Sequence, residues 1–149
     1  MLRTVVVAGA LLLSASVVVA QQDLVDQAQT VMKTTGKNAG VLVAMVKGTK
    51  PYDQAAVDAA LAEFEKTAKA LPTLFPASIK GMKPFEGKYS ASPKIWEDKA
   101  GFDAEIASFA KAVSNAQLTV KDVNTLKVGF GAIGKECGNC HETYRQKDS

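Results

Sequence analysis

Cys137-Gly138-Asn139-Cys140-His141 stops eight residues short of the end of a 149-residue chain. The Cys-x-x-Cys-His spacing is that of covalent attachment of a c-type haem. Two thiols can bond the haem vinyl groups as thioethers, and the adjacent imidazole can bind the iron. A haem held here must draw the other face of its iron from residues earlier in the chain.

The surrounding periodicity is helical. Leu126, Phe130, Ile133, Cys137, Cys140/His141 and Tyr144 recur at steps of three and four, which predicts a helix from about Lys121 to Lys147. Residues three and four apart share a helix face, so Cys137, Cys140 and His141 converge on one ligand and continue the apolar stripe into the core. His141 is the only histidine and the chain has two cysteines. A Cys₂His₂ or Cys₃His zinc site therefore lacks ligands, and bis-histidine haem ligation is impossible within one chain. A Cys137–Cys140 disulfide is the plain alternative. It would close a tiny loop, constrain almost nothing and leave the following histidine without a role.

Three further amphipathic segments precede this helix. Leu24, Ala28, Val31, Thr35, Ala39, Leu42 and Val46 form the first stripe, stopped by Lys47-Gly48. Asp53 is an N-cap for the second, whose stripe is Val57, Leu61, Phe64, Ala68 and Leu71 and which Pro72 ends. Residues 72–92 carry Pro72, Pro76, Gly81, Pro84 and Gly87 and read as irregular, with local turns near Ala77–Gly81. Ser92-Pro93 opens a third helix, with Ser92 as N-cap and a face of Ile95, Lys99, Phe102, Ile106, Phe109 and Val113. Lys99 is expected to lay its stem along that face. No run shows sustained period-two alternation, so no sheet is expected. The fold class is all-α, an antiparallel up-down-up-down four-helix bundle with covalently bound haem.

Residues 1–20 resemble a secretory signal. Arg3 gives a positive start, Val5–Ala20 is uncharged, and Val18-Val19-Ala20 offers small residues before a cut ahead of Gln21. The uncharged run is sixteen residues long, short of the ~20 that span a bilayer. Residues 21–149 then form one haem domain exported to the periplasm, without stable membrane association. Lys and Arg total 18 against 15 Asp and Glu, a near balance that makes no case for nucleic acid.

The second axial position is either open or filled by a methionine sulfur. Met32, Met45 and Met82 are the candidates after the signal. In an up-down-up-down bundle the start of the first helix lies beside the end of the fourth, which brings Met32 close to a haem at His141. Met45 lies thirteen residues further along, roughly 20 Å at helical rise, and is expected to point to a nearly opposite side. Met82 is in the irregular segment, which can fold back over a haem. Tyr144 is expected against the ring or its edge. Arg145 either pairs with a propionate through its guanidinium fork or stands solvated at the helix C-terminus. Gly129-Phe130-Gly131-Ala132-Ile133-Gly134 fits G-x-G-x-x-G, but no strand precedes it and no βαβ unit follows. Its small residues instead allow close approach of a planar group or a neighbouring helix.

The C-terminal run Cys137 to Lys147 is similar to the end of class II c-type cytochromes, the cytochrome c′ family. Class I cytochromes c carry the attachment motif near the N-terminus and the ligand methionine after it, the reverse of this order. Met32-Lys33, Gly36-Lys37-Asn38, Met45-Val46-Lys47-Gly48 and Pro93-Lys94-Ile95-Trp96 extend the resemblance over the chain after the signal. Gln21–Asp26 and Lys50–Leu61 resemble the low-spin branch called cytochrome c-556. The resemblance implies one covalent haem c per chain and axial ligands at Met32 and His141. It implies a periplasmic electron carrier cycling Fe(II)/Fe(III), not an enzyme, which docks transiently with redox partner proteins and forms a homodimer through the first two helices. The alternative is the five-coordinate, high-spin type that binds NO or CO. Relatives carry an arginine four residues before the distal position. Here that residue is Ala28, and Lys33 or Lys37 is the substitute the neighbouring sequence offers for a propionate contact from that site.

Overall fold

The computed structural model describes the backbone from Val5 to Asp148 and the side chains from Val19 onward. The signal assignment for residues 1–20 therefore falls largely outside the described residues. Four long helices dominate: α1 (Val5–Val46), α2 (Gln54–Ala70), α4 (Lys99–Thr119) and α5 (Val123–Tyr144). A short helix α3 (Lys94–Glu97) precedes α4, and two 3₁₀ turns, Leu71–Thr73 and Ala77–Ile79, interrupt the irregular segment. Two strands, β1 (Tyr89–Ala91) and β2 (Arg145–Lys147), pair antiparallel. The long helices close a ring, α1 on α2, α2 on α4, α4 on α5 and α5 back on α1. This is the expected four-helix bundle.

Local chemistry fixes the helix ends. Gly48, at φ 72°, turns the chain out of α1 while Thr49 N–H donates to Ala44 O at 2.9 Å, the left-handed stop that glycine adopts without strain. Asp53 accepts from the backbone of Ala55 and Ala56 to cap α2, as expected. Asp122 and Thr125 cap α5 reciprocally.

Two expectations need correction. The helix opened by Ser92-Pro93 is not continuous. Asp98, at φ −126° and ψ 62°, ends α3 and caps α4 by accepting from Gly101 N–H at 3.1 Å. The break lets α4 take its own axis, and Lys99 lies on the exposed side, paired with Asp103, instead of along the apolar face. Secondly, a small sheet exists. It pairs Tyr89 with Lys147, Ser90 with Gln146 and Ala91 with Arg145, and each strand is only three residues long, too short for a period-two signal. Met45 is buried in the core beside Leu42 and does not border the cavity that Met32 lines. A helix flanked by two neighbours buries a wide arc, so Val25 and Met45 are buried while the predicted Leu24 and Val46 are half-buried.

The core has two parts. One gathers Leu42, Val57, Leu61, Phe64, Val113, Leu126 and Ile133, and Phe64 meets Phe109 at 6.3 Å between ring centroids. Gly129 belongs to this half: a Cβ there would lie 2.9 Å from Val120 Cγ2 and 3.3 Å from Ala116 Cβ, so the glycine lets α5 approach α4. The other part gathers Leu71, Ile95, Phe102, Ile106 and Tyr144, with Met32, Trp96 and Cys140 against it. Phe64→Ala, at a side chain 1% exposed, should lower unfolding free energy by about 3–5 kcal/mol. Leu118→Ala, at 75% exposure, should change it by less than about 0.5 kcal/mol; urea titration monitored by circular dichroism measures both.

Candidate haem site

The two halves of the core are both exposed to a cavity of about 600 Å³. Phe64, Phe109 and Ile133 contribute from one half, and Leu71, Phe102 and Tyr144 from the other. Met32, Met82, Cys137, Cys140 and His141 all line it. The apolar stripe of α5 carries the two cysteines and the histidine onto its wall, as the spacing predicted.

Burial sets the chemistry of these groups. It pushes the Cys137 thiol up and the Cys140 thiol up to about 11, the latter helped by the negative charge of Glu105. Both are free thiols, not a disulfide. Burial, and then the nearby Arg145 cation, lower the affinity of His141 for a proton below the ordinary imidazole value. The ring is thus neutral at pH 7, the form that binds a metal. Among the described residues no group of three or more His, Cys, Asp and Glu side chains is disposed to hold a bare metal ion.

Of the methionines, Met32 is half-buried on the cavity side of α1, and Cys140 packs against the same cluster. Met82 also lines the cavity, from the irregular segment, whereas Met45 does not. Ala28 is buried at the wall and Lys33 stands exposed at the rim. Lys37 does not line the cavity.

Tyr144 is fixed on three sides. Its ring meets the edge of Phe102 at 5.1 Å, its hydroxyl donates to Asp98 Oδ2 at 3.0 Å, and Gly101 leaves it room, since a Cβ there would collide with Asp98 Oδ2 and the hydroxyl. Burial and then the Asp98 bond push the phenol up to about 12. Arg145 departs from the helical position expected for it. Ser92 N–H donates to Tyr144 O at 3.0 Å and the β1 pairing begins at the next residue, so α5 ends at Tyr144. The Arg145 guanidinium then lies 4.3 Å from the centre of the Tyr89 ring while still bordering the cavity.

The cover over the cavity is the feature the sequence hid. Residues 75–91 fold back across it and are tied from several sides. Trp96 Nε1 donates to the carbonyls of Phe75 at 3.1 Å and Pro76 at 3.2 Å. Gln22 donates to Lys83 O at 3.2 Å, and Gln29 to Glu86 O. Lys83 pairs with Asp148 at 2.9 Å, and Ser90 donates to the same carboxylate at 3.0 Å. The only available signal was indirect: two glutamines and a tryptophan on the inward side of helices need acceptors, and an irregular segment has free carbonyls.

The residues present fit a large planar apolar group. The walls are mainly hydrophobic, and a Cβ built on Gly134, at the cavity wall, would meet nothing within 4 Å. Two thiols and a neutral imidazole share one helix face, with thioether sulfurs across the same space. Fold and site together define a covalent haem protein built on a four-helix bundle.

The family model for Cytochrome C′ matches residues 23–145, and the chain belongs to that family, the class II cytochromes. It is 64% identical to cytochrome c-556 of Rhodopseudomonas palustris over 99% of both chains. It is 40% identical to cytochrome c′ of the same organism, again over 99% of both. An NMR-validated structure of oxidized R. palustris cytochrome c556 superposes with a TM-score of 0.76 at 62% identity, covering 86% of this chain and 99% of that one. Haem c, covalently bound, is the cofactor, and the chain is a haem-c cytochrome of the electron-transferring or gas-binding kind. No helix among the described residues is long and apolar enough to cross a membrane.

The Lys83 ammonium, bonded to Asp148, holds that carboxyl below the usual carboxylate range. Its contribution to the cover is therefore present above the unfolded carboxyl pKa of about 3.9 and fades as pH falls through the lower folded value. Asp148→Asn should lower the melting temperature of the protein at pH 6, and the difference from the parent should shrink as the pH is brought to 3, read by thermal melts at each pH.

Proposed function

We propose that this chain is a periplasmic electron carrier in which Cys137 and Cys140 hold haem c through thioether bonds and His141 and Met32 take the two axial positions. The observation that carries the reading is the meeting of Met32, from α1, with both thiols and the sole imidazole, from α5, at one apolar cavity. The identity to cytochrome c-556, extending over 99% of both chains, supports the same assignment. When bound, the haem supplies a one-electron couple between Fe(II) and Fe(III).

The protein's own residues do the rest. Burial and Arg145 keep His141 unprotonated, so its lone pair is free to coordinate. The Met32 thioether needs no deprotonation and is a soft donor. Both ligands stand on long helices, which resist displacement when the charge at the centre changes. Phe64, Phe102 and Phe109 on the walls and residues 75–91 over the top exclude water. Tyr144, locked by Asp98 and Phe102, walls the side on which His141 lies. Lys33 and Arg145 border the cavity as cations suited to propionate groups. With one histidine in the chain there is no distal histidine to act as an acid or base, so electron transfer to docking redox proteins, and not catalysis, is the assigned role. Residues 1–20 are the export signal, and residues 21–149 the haem domain.

The spectrum of the purified protein tests the ligand pair. The oxidised wild type should be low spin. Met32→Ala should become high spin and bind carbon monoxide rapidly, whereas Met82→Ala should keep the parent spectrum. A high-spin wild type would make this the gas-binding type, with Met32 as a packing residue. In a host that matures c-type cytochromes, Cys137→Ser/Cys140→Ser should lose haem staining after denaturation, and the exported protein should begin at Gln21 by N-terminal sequencing.

A further inference from the structure

Among the described residues, Glu105 Oε2 is the one buried side-chain oxygen or nitrogen without a hydrogen-bond partner. Glu105 lies on α4 between the buried Phe102 and Phe109, and it lines the cavity. Leaving a carboxylate oxygen unpaired in an apolar wall is costly, and a glutamine or methionine would fill the same space without the charge. Its negative charge reaches the neighbouring α5, where it is one of the causes that raise the Cys140 thiol and the Tyr144 phenol. Glu136 also borders the cavity, but its carboxylate has no buried unpaired atom.

A charge partly withdrawn from water interacts more strongly with its neighbours than the same charge fully in water. Beside a redox centre it stabilises the more positive oxidation state. We propose that Glu105 sets the reduction potential of the bound haem, holding it low by favouring the ferric state. The assignment rests on the haem reading above and adds to it a residue that touches neither axial position. Glu105 is a positioning charge: one electron enters or leaves the haem, and no bond to Glu105 forms or breaks.

Equilibrium redox titration of the holoprotein with chemical mediators is the test. Glu105→Gln keeps the shape and removes the charge. It should raise the midpoint potential by about a tenfold change in the redox equilibrium, ~59 mV for one electron. Glu105→Ala should shift it in the same direction. Glu142→Gln, which removes an exposed charge next to His141, should move it far less, because solvent screens that group. If Glu105→Gln keeps the parent potential, or moves it no more than Glu142→Gln does, the charge has no such role. If both Glu105 variants fail to retain haem, the side chain serves assembly and the proposal is overturned. A wild type without haem would instead overturn the haem reading itself, whereas normal haem spectra with an unmoved potential would remove only this inference.

Discussion

Four helices joined tightly at one end around Leu42, Phe64 and Leu126 leave apolar walls at the other that water cannot satisfy. Phe102, Phe109, Ile133 and Leu71 all border the same cavity. Closing it with protein alone would need larger side chains where the chain has Ala28, Ala39 and Gly134. These small residues put the walls too far apart to meet, and the hydrophobic effect then favours a large flat apolar ligand. The Cys137, Cys140 and His141 side chains on α5 and the Met32 thioether on α1 all border that cavity.

Everything else about the site serves to keep the walls dry and the donors in the right state. Burial leaves the imidazole of His141 neutral and both thiols protonated. The cover of residues 75–91 has no regular structure beyond one 3₁₀ turn and one short strand, and it is held instead by side chains of α1, by Trp96 and by the C-terminal segment. A helix that ran on past Tyr144 would withdraw its end from this clasp. The chain stops α5 there, and Arg145 exchanges a helical position for the face of Tyr89. The break at Asp98 has the same local logic: the residue that ends α3 caps α4 and holds the Tyr144 hydroxyl.

The all-α class, four helical stripes, the helix stop at Gly48, the helix start at Asp53, and the shared face of Cys137, Cys140 and His141 were legible in the sequence, because each rests on a local rule: helical period, capping chemistry, or residues three and four apart on one face. That Met32 and His141 border one cavity agrees with the antiparallel topology expected of the first and last helices. The readings that failed involved partners distant in sequence. Asp98 breaks the third helix although its neighbours continue the period. Arg145 leaves helix geometry because Ala91, more than fifty residues earlier, pairs with it.

By itself the sequence determined the helices, the direction each apolar face must point, and a haem-binding motif with one imidazole and two thiols. Only the tertiary structure decided which methionines border the cavity, how residues 75–91 cover it, and that one oxygen of Glu105 lies buried without a partner. The physical reason is range. Helix formation and capping are settled within a few residues, whereas cavities, cover contacts and orphaned charges arise only when segments far apart in the chain compete for the same space.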